Sequence, residues 1–314
     1  MMSCLVTGGA GFIGSHLAEE LACRDVAVRV LDNFSTGKRE NLASFRDRIE
    51  LINGDIRNLT TCRRAAAGVD FVFHEAALAS VPLSIEDPFL TEDINVRGTL
   101  NVLWAAREAG VRRLVFASST SVYGDDPEQP KKEGMQGIPL SPYALSKWIG
   151  EKYCQAFSLI YGLPTVCLRY FNVYGPRQDP QSQYAAAVPI FITRMLAGER
   201  PVIYGDGSQT RDFVYVRDVV EANILAAEVD GVSGEVFNVA SASSLSVASL
   251  VRQISEILGE TREPIFEPPR QGDILYSAAD ISKARERLGF RPAHDLCVGL
   301  EKTISWHQEK RRTS

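Results

Sequence analysis

Short apolar runs alternate with longer amphipathic stretches along the first half of the chain. The apolar runs are four to six residues long and predict β-strands at 4–7, 26–31, 49–53, 71–74, 114–118 and 165–169. The stretches between them have helical patterns and predict helices at 13–22, 59–66, 91–109 and 142–161.

Continuous apolar strands of this kind suit a parallel sheet that helices cover on both faces. The alternation of strand and helix predicts an α/β fold with a doubly wound sheet and right-handed crossovers. In such a sheet, the site lies beyond the carboxyl ends of the strands. Functional residues are therefore expected in the segments that follow the strands, at 32–35, 54–56, 75–77, 119–121 and 170–172.

The pattern loosens after about residue 172, where proline and glycine become frequent and the apolar runs become short. We predict a nucleotide-binding domain over 1–172 and a smaller C-terminal α/β substrate domain over 173–314 that covers the site. A strand at 212–216 and a helix at 218–228 are regular enough to rejoin the large domain, within a segment of about 212–240. The two predicted domains are therefore not separated at a single position in the chain.

The first strand runs into a glycine-rich turn and then a helix, with Gly8, Gly11 and Gly14 at this junction. Glycine permits the tight turn, lets backbone N–H groups approach a pyrophosphate and lets the helix pack closely on the strand. The pattern is typical of a Rossmann-type dinucleotide site. The next strand ends in Asp32, about 20 residues beyond the turn, where a carboxylate accepts a hydrogen bond from the ribose 2′-hydroxyl and repels a 2′-phosphate. This spacing predicts NAD rather than NADP.

The composition narrows the class of protein. With 314 residues, 45% of them hydrophobic and 23% charged, the chain resembles a soluble globular protein of one or two domains. The net charge of −5 gives no general attraction to nucleic acid or to an anionic membrane, and no apolar run is long enough to span one. The glycine turn begins too soon after Met1 to leave room for a signal peptide. The six cysteines are scattered without a CxxC pair, so we expect no metal site and no disulfides, and we expect reduced thiols in a cytoplasmic protein.

A tyrosine and a lysine four positions apart begin the last long helix of the first half. Ser141 is a helix cap, Pro142 suits the first helical position, and Tyr143 and Lys147 share one face of the helix. We expect the ammonium and the positive helix end to pull the pKa of the phenol down from about 10, which would make it a general base for an alcohol. Such a pair is common by chance, but the strand at 114–118 ends in a cluster of hydroxyls from which Ser119 could bridge a sugar oxygen and the phenol.

Together these features resemble the extended short-chain dehydrogenases and, within them, the nucleotide-sugar 4-epimerases. The resemblance covers nearly the whole chain. It is carried by the glycine motif at 7–14, His74-Glu75-Ala76-Ala77, Ser119, Tyr143 with Lys147, and Arg169-Tyr170-Phe171-Asn172-Val173-Tyr174-Gly175. It implies that Tyr143 is the catalytic base, that Lys147 is its electrostatic partner and holds the nicotinamide ribose, and that Ser119 is the hydroxyl bridge.

The resemblance also implies two sets of binding residues. The NAD-binding set is Gly8, Gly11, Phe12, Ile13, Gly14, Asp32, Asn33, Ser35, Thr36, Gly37, Asp55, Ile56, Ala76, Ala77, Asn95, Ser118, Tyr143, Lys147, Tyr170 and Phe171. The UDP-sugar-binding set is Ser119, Thr120, Tyr143, Asn172, Ala187, Val188, Val202, Tyr204, Arg211, Arg270, Asp273 and Ser277. We expect Arg211 and Arg270 to converge with Asn172 on the diphosphate, because guanidinium groups bind phosphate oxygens in pairs.

The implied reaction is a redox-neutral 4-epimerisation of a UDP-sugar with tightly bound NAD, through a 4-keto intermediate. The stretch at 178–189 favours interconversion of UDP-GlcNAc and UDP-GalNAc. UDP-Glc and UDP-Gal are expected as a second pair of substrates. When the segment 270–280 is aligned with the family without a gap, the family position that limits the size of the sugar falls on Ser277. A small side chain at this position leaves room for an acetamido group. Tyr276 is its neighbour, and a shift of one residue would reverse this conclusion.

Several related activities stay open. The chain could be a UDP-glucose 4-epimerase proper, another NAD-dependent UDP-sugar epimerase or decarboxylase, or a non-catalytic NAD-binding regulator. A 4,6-dehydratase is disfavoured, because Thr120-Ser121 occupies the place of the acid pair that such enzymes carry.

The helices at 91–109 and 142–161 carry broad apolar surfaces. The residues concerned are Val96, Leu100 and Leu103 on the first helix, and Leu145, Trp148, Ile149, Phe157 and Ile160 on the second. The resemblance implies a homodimer through a four-helix interface, and burial inside one chain is the alternative.

Overall fold

A seven-stranded parallel sheet forms the centre of the protein, in the order β10-β6-β5-β4-β1-β2-β3. The computed structural model describes residues 2–135, 137–180, 187–269 and 276–313. The strands of this sheet are β1 (Ser3–Thr7), β2 (Ala27–Asp32), β3 (Ile49–Asn53), β4 (Phe71–His74), β5 (Arg113–Ser119), β6 (Thr165–Tyr170) and β10 (Glu235–Val239). The six strands predicted in the first half are confirmed, each to within one residue at either end.

Helices cover both faces of this sheet, as its apolar strands predict. The α-helices of the described residues are α1 (Phe12–Cys23), α2 (Leu59–Ala66), α3 (Val81–Glu86), α4 (Pro88–Glu92), α5 (Gly98–Ala109), α6 (Pro142–Tyr161), α7 (Ala187–Leu196), α8 (Val216–Glu228), α9 (Val247–Leu258), α10 (Ser282–Arg287) and α11 (Leu296–Thr313), of which α1, α2, α5, α6 and α8 pack on this sheet. Alternate residues of the strands enter two separate cores: Val115 packs with residues of α1 and α8, whereas Leu114 and Phe116 pack with residues of α2, α5 and α6. The doubly wound α/β fold is therefore confirmed.

The helix predicted at 91–109 is confirmed as one continuous helical path, but this path starts earlier and is not α-helical throughout. The helical path starts earlier, where Asp87 accepts a hydrogen bond from the Leu90 N–H (2.9 Å) and caps α4. It then passes through a π-helical turn, Asp93–Arg97, before α5 begins. The wider turn carries Asn95, whose side-chain oxygen accepts a hydrogen bond from the Leu78 N–H (2.7 Å). Its NH₂ group donates to the Leu78 carbonyl (3.1 Å) and to the Ser146 hydroxyl (3.0 Å). Hydrophobic periodicity does not register such a one-turn change of pitch.

Two small sheets lie outside the central one. The first has the order β11-β9-β7, with β7 (Asn172–Tyr174), β9 (Thr210–Tyr215) and β11 (Ser244–Ser246). The second pairs β8 (Val202–Tyr204) with β12 (Ile265–Glu267). Helices α7, α9 and α11 share a third core with these strands.

The segment expected to rejoin the large domain does so only in part. The prediction is wrong for the strand at 212–216, because β9 pairs in parallel with β7, which leaves the central sheet one residue after β6 ends. The next helix, α8, does pack on β5 and β6, and β10 is hydrogen-bonded to β6 as the edge strand. The division of the chain at residue 172 stays a prediction.

None of the helices in the described residues combines the length and the apolar character that a membrane span requires. Within the same residues, no group of three or more His, Cys, Asp and Glu side chains is placed to hold a metal ion. All six cysteines are free thiols.

A buried ion pair joins α6 to the two strands beside it. The Arg169 guanidinium of β6 donates two hydrogen bonds to the Glu151 carboxylate of α6 (2.8 Å each), and the side chains are 6% and 0% exposed. The Ser118 hydroxyl of β5 donates a third hydrogen bond to Glu151 (2.5 Å). Because both oxygens of Glu151 are used, this pair holds α6 at a defined height against β5 and β6.

We expect Glu151→Gln to lower the free energy of unfolding by about 3–5 kcal/mol, because it leaves the Arg169 charge buried without a counter-charge. Chemical denaturation followed by circular dichroism measures this change. The matched control is Glu50→Gln, since Glu50 pairs with Arg29 (2.7 Å) while its side chain is 59% exposed. That control should cost at most about 1 kcal/mol. Equal losses in the two variants would contradict the structural role of the buried pair.

Candidate active site

The glycine turn after β1 brings three backbone segments together too closely for any other residue. Gly8 has φ +67°, and a Cβ on it would lie 2.7 Å from the backbone of Ala76. A Cβ on Gly14 would lie 2.3 Å from the Gly8 carbonyl oxygen. The turn therefore packs directly against the segment after β4 and against the first turn of α1, which explains the glycines that the sequence singled out.

The first turn of α1 is open to an anion. The first helical hydrogen bond runs from Ser15 N–H to the Gly11 carbonyl (3.1 Å), so the N–H groups of Phe12, Ile13 and Gly14 precede it. No capping side chain bonds this end of α1, and its first turn contains no acidic residue. Its positive partial charge is thus available to a diphosphate, and the cradle fits the pyrophosphate of a dinucleotide.

Asp32 is held rigidly at the end of β2. It is buried, and its carboxylate accepts hydrogen bonds from the Ala10 N–H and the Phe34 N–H, both at 2.8 Å. A Cβ on Gly37 would lie 2.9 Å from both carboxylate oxygens, so the next segment packs against them. Burial raises the pKa of Asp32, whereas the two backbone donors act in the opposite direction. Each oxygen keeps a lone pair, which fits a ribose hydroxyl.

The other residues expected to bind NAD lie around this cradle. Asn33 donates to the Asp55 carboxylate (2.8 Å), and the Ser35 N–H donates to Asn33 (3.0 Å), so the segments after β2 and β3 are joined. Arg57 lowers the pKa of Asp55 to about 2 through a hydrogen bond, so Asp55 is ionised. Thr36 precedes Gly37 in the segment that packs on Asp32, and Ile56 is buried in the core shared by α2, α5 and α6.

Two of the expected NAD-binding residues use their side chains inside the protein. The Asn95 amide is occupied by Leu78 and Ser146, and it fixes the segment that follows Ala76 and Ala77. The Ser118 hydroxyl is directed to Glu151, away from the strand end. Their contact with a cofactor stays a prediction, as it does for Phe171, which is buried next to Tyr170.

The residues expected to be catalytic are brought together by α6 and β5. The Ser141 hydroxyl accepts a hydrogen bond from the Ala144 N–H (3.1 Å) and caps α6 as predicted, so that Tyr143 and Lys147 lie in its first two turns. The Tyr143 side chain is hydrogen-bonded to Ser119, the last residue of β5. The Lys147 ammonium donates to the Ala117 carbonyl of the same strand (2.8 Å).

The charge states in this set differ from the expectation. Burial raises the pKa of Tyr143, and the Ser119 hydrogen bond opposes that change, so the predicted lowering by Lys147 is wrong for this arrangement. The reason is geometric: the ammonium is directed to Ala117 and lies 6.0 Å from the centre of the Tyr143 ring. Burial lowers the pKa of Lys147 itself to about 8, and the negative charge of Glu75 opposes this shift.

The residues expected to bind the UDP-sugar come from several elements of the second half. Asn172 on β7 donates to the Asp212 carbonyl (3.0 Å), and Arg211 on β9 donates to the Thr210 carbonyl (2.8 Å). Thr120 begins a 3₁₀ turn directly after Ser119. Val202 and Tyr204 lie on β8, and Ala187 and Val188 begin α7, where Val188 is buried in the third core. Arg270 and Asp273 lie outside the described residues.

The sequence pattern predicts no role for Glu75, Glu151 or Arg169, although Glu75 and Arg169 lie within its motifs. The signal that distinguishes them in the sequence is a charged residue next to, or within, an otherwise apolar strand or helix. The partners that make them important come from distant parts of the chain: Tyr170 donates to Glu75 (2.7 Å), and Arg169 pairs with Glu151.

Known proteins resemble this chain over its whole length. A family model described as the NAD dependent epimerase/dehydratase family matches residues 4–240. A UDP-glucose 4-epimerase of Mycolicibacterium smegmatis is 42% identical over 98% of this chain and 99% of its own. A UDP-N-acetyl-alpha-D-glucosaminuronate decarboxylase of Bacillus cytotoxicus is 35% identical over 98% of both chains. A solved structure of a UDP-N-acetylglucosamine 4-epimerase from Methanobrevibacter ruminantium, in complex with UDP-N-acetylmuramic acid, superposes with a TM-score of 0.94 at 41% identity, covering 98% of this chain and 99% of the other.

We expect Gly14→Ala to lose most of its bound dinucleotide, because the added Cβ must push the Gly8 carbonyl out of the turn. The matched control is Gly134→Ala, where a Cβ meets nothing within 4 Å. Purified protein is denatured, and the released cofactor is identified by chromatography. Gly134→Ala should release NAD or NADH with little NADP, because the Asp32 carboxylate repels the 2′-phosphate of NADP. Full cofactor content in Gly14→Ala, or mostly NADP in the control, would contradict this account of the cradle.

Proposed function

The chain belongs to the NAD-dependent epimerase/dehydratase family, and we propose that within it the protein interconverts UDP-GlcNAc and UDP-GalNAc by inverting carbon 4 of the sugar. NAD is its cofactor, and nucleotide-sugar 4-epimerase is its general activity. The proposal includes UDP-Glc and UDP-Gal as a second substrate pair. The observation that carries the catalytic part is the hydrogen-bonded Tyr143 and Ser119, with Lys147 one turn along α6, at the strand ends beside the dinucleotide cradle.

In the proposed mechanism, Tyr143 moves a proton and Ser119 positions the sugar. NAD, when bound, supplies a hydride acceptor that can return the hydride. The Tyr143 phenolate would take the proton of the sugar 4-hydroxyl, so that with NAD to accept the hydride from carbon 4 the product would be the 4-keto sugar. After the keto sugar has turned over and been reduced on its other face, Tyr143 would give the proton back to the oxygen. Lys147, whose ammonium donates to the Ala117 carbonyl, would hold the nicotinamide ribose.

The preference for N-acetylated sugars is supported by the segment 276–280. Its backbone is held by Gln129, which donates to the Tyr276 carbonyl (3.0 Å) and accepts from the Ala278 N–H (3.1 Å), and by the Ser244 hydroxyl, which donates to the Ser277 carbonyl (3.1 Å). Tyr276 is 59% exposed, whereas Ser277 is half-buried. Because neighbouring side chains of an extended segment point to opposite sides, we assign the sugar pocket to Ser277. The similarity to a UDP-N-acetylglucosamine 4-epimerase adds support.

A second candidate is oxidative decarboxylation of a UDP-hexuronic acid, because a relative named for such a reaction is similar over the whole chain. Both reactions begin with oxidation at carbon 4, so the same Tyr143, Ser119 and Lys147 would serve either one. Incubation with a panel of UDP-sugars separates the two: epimerisation gives the second epimer with no loss of mass, whereas decarboxylation releases carbon dioxide. A non-catalytic regulator gives no product from any member of the panel.

We also propose that the protein is a homodimer through α3, α4 and α6. Leu103 and Phe157, which belong to the expected apolar surfaces, are buried in the core shared by α2, α5 and α6 and do not contribute to an exposed surface. The large apolar residues exposed on these helices are Val81, Ile85, Phe89, Leu90, Leu145, Trp148, Leu159, Ile160 and Tyr161. Helix α6 packs against both α3 and α4, so that part of this surface is shared between adjacent helices, which favours pairing with a second copy.

We expect Tyr143→Phe to lower turnover by at least about 100-fold, because it removes the general base. The variant should keep its fold and its bound NAD, since the phenol oxygen bonds only the catalytic Ser119 among the described residues. Turnover is measured by separating the two epimers, and the cofactor is measured after denaturation. Near-normal turnover in a folded variant that retains NAD would remove Tyr143 from the mechanism.

We expect Ser277→Tyr to abolish turnover of UDP-GlcNAc by steric exclusion and to spare any turnover of UDP-Glc. The matched control is Ser277→Ala, which keeps the pocket open and should leave both activities near the parent values. Parent-rate epimerisation of UDP-GlcNAc by Ser277→Tyr would show that another residue limits the size of the sugar.

A further inference from the structure

The segment that carries Ser277 is paired with a segment from a distant part of the chain. The Lys131 N–H donates to the Ala278 carbonyl (2.8 Å), and the Asp280 N–H donates to the Lys131 carbonyl (2.9 Å). These bonds form a short parallel bridge between Lys131 and Ala279. Residues 278 and 280 therefore direct their backbone groups toward Lys131, which is the pattern of a parallel pair of strands.

The Gln129 side chain continues this ladder toward Tyr276. Its NH₂ group donates to the Tyr276 carbonyl (3.0 Å), and its oxygen accepts a hydrogen bond from the Ala278 N–H (3.1 Å). A side-chain amide carries an acceptor oxygen and a donor nitrogen side by side, as a peptide group does, so it can replace one rung of backbone pairing. The carbonyl before Ser277 and the N–H after it are thus both held by one side chain.

The opposite edge of the segment is held at Ser277 itself. The Ser244 hydroxyl, at the start of β11, donates to the Ser277 carbonyl (3.1 Å). In an extended chain, neighbouring residues direct their carbonyl groups to opposite edges. The Ser244 contact therefore belongs to the same register as the contacts of Gln129.

The two faces of the segment differ in this register. Ala279 is buried in the core that includes residues of α1 and α8, whereas Tyr276 is exposed. Because side chains alternate along an extended segment, Ser277 shares the face of Ala279, and Tyr276 lies on the other face. A shift of one residue would exchange the faces and bring the Tyr276 ring to the place of the Ser277 hydroxyl.

The end of the segment beyond Ala278 is anchored to the central sheet. The buried Asn238 amide of β10 donates to the Lys131 carbonyl (2.9 Å) and to the Asp280 carbonyl (3.1 Å). Among the described residues, the backbone of 276–277 is bonded only by the two side chains described above. The orientation of Ser277 thus depends on those side chains, while the Asp280 end is fixed independently.

We propose that Gln129 is a specificity-determining residue of the sugar pocket, because it fixes the register in which Ser277, and not Tyr276, faces the substrate. It acts through the backbone of 276–278, so it is a positioning residue and not a contact of the sugar. The inference rests on the proposed function, in which Ser277 leaves room for an acetamido group.

Loss of the Gln129 amide leaves the Tyr276 carbonyl and the Ala278 N–H without their partner, which gives the shifted register access. The Tyr276 ring then occupies the volume that an acetamido group needs. The hydroxyl that UDP-Glc carries in place of this group is smaller. Turnover of UDP-GlcNAc should therefore suffer more than turnover of UDP-Glc.

The experiment compares the wild-type holoenzyme with Gln129→Ala, with UDP-GlcNAc and UDP-Glc as substrates. The kcat/KM for UDP-GlcNAc divided by that for UDP-Glc should fall by about 10-fold or more, because a steric conflict in the pocket affects the larger substrate. The matched control is Gln155→Ala, since the Gln155 amide accepts a hydrogen bond from Lys152 at an exposed place (3.1 Å), and it should keep the parent ratio. A merely structural role of Gln129 predicts equal losses for both substrates. Such equal losses, or no loss at all, would overturn the proposal.

The double variant Gln129→Ala/Tyr276→Ala tests the cause of the change. Tyr276→Ala alone should keep the parent ratio, because its ring lies on the face away from the pocket. In the double variant the ring that would enter the pocket is missing, so the ratio should return toward the parent value. A ratio as low as that of Gln129→Ala alone would overturn the assignment.

Amide hydrogen exchange reports on the same contacts without turnover. In Gln129→Ala, the Ala278 N–H loses its acceptor and should exchange faster, whereas the Asp280 N–H, which is bonded to Lys131, should keep its protection. Unchanged exchange at Ala278 would contradict the role of Gln129. Should Gln129→Ala fail to fold, Gln129→Glu serves instead: it keeps the acceptor for Ala278 and loses the donor to Tyr276, so the ratio should fall by a smaller amount, and an unchanged ratio in that folded variant would equally overturn the proposal.

The failure of the proposed function has a separate signature. If the wild type turns over neither UDP-sugar, the proposed function fails. The dissociation constants of UDP-GlcNAc and UDP-Glc, measured by calorimetry on the holoenzyme, then replace the kcat/KM values. Their ratio, together with the exchange at Ala278, decides the role of Gln129 by the same criteria.

Discussion

The buried carboxylate of Glu151 is the constraint on which the geometry of the site depends. It accepts hydrogen bonds from Ser118 of β5 and Arg169 of β6, and it belongs to α6, the helix that carries Tyr143 and Lys147. The residues next along each strand, Ser119 and Tyr170, are hydrogen-bonded to Tyr143 and to Glu75. One ion pair below the strand ends therefore sets the relative positions of Tyr143, Ser119 and Tyr170.

The chemistry of the site is set by the balance of burial against charge. Burial alone works against catalysis, because it raises the pKa of Tyr143 and lowers that of Lys147. Compensation comes from hydrogen bonds and charges at specific positions: Ser119 for the phenol and Glu75 for the ammonium. A dry site strengthens these interactions, so the same burial that disfavours the ionised forms also makes each compensating group more effective.

Much of this arrangement could be predicted from local sequence. The strands were predictable because each is a short apolar run buried on both faces, and the cradle because Gly8 and Gly14 occupy positions where a Cβ would collide with backbone. The start of α6 could be predicted because Ser141 is a favourable cap and Pro142 suits the first helical position. What could not be predicted depends on contacts between distant segments. The π turn at Asn95 has the periodicity of a helix, β9 looks like any other short strand, and the pKa of Tyr143 depends on where the Lys147 ammonium points.

The position of β10 has a consequence for how the chain must be made. The central sheet is completed only by residues 235–239, after the chain has left it at β6 and built β7, β8 and β9. Until that stretch has been synthesised, one whole edge of β6, a six-residue strand that is buried in the finished protein, presents unpaired backbone N–H and C=O groups. Exposed apolar strand edges of this kind template association with other chains. The nascent nucleotide-binding half therefore depends on the later half for protection against aggregation, and a fragment that stops at the end of β6 would be a poor candidate for an independent, soluble unit.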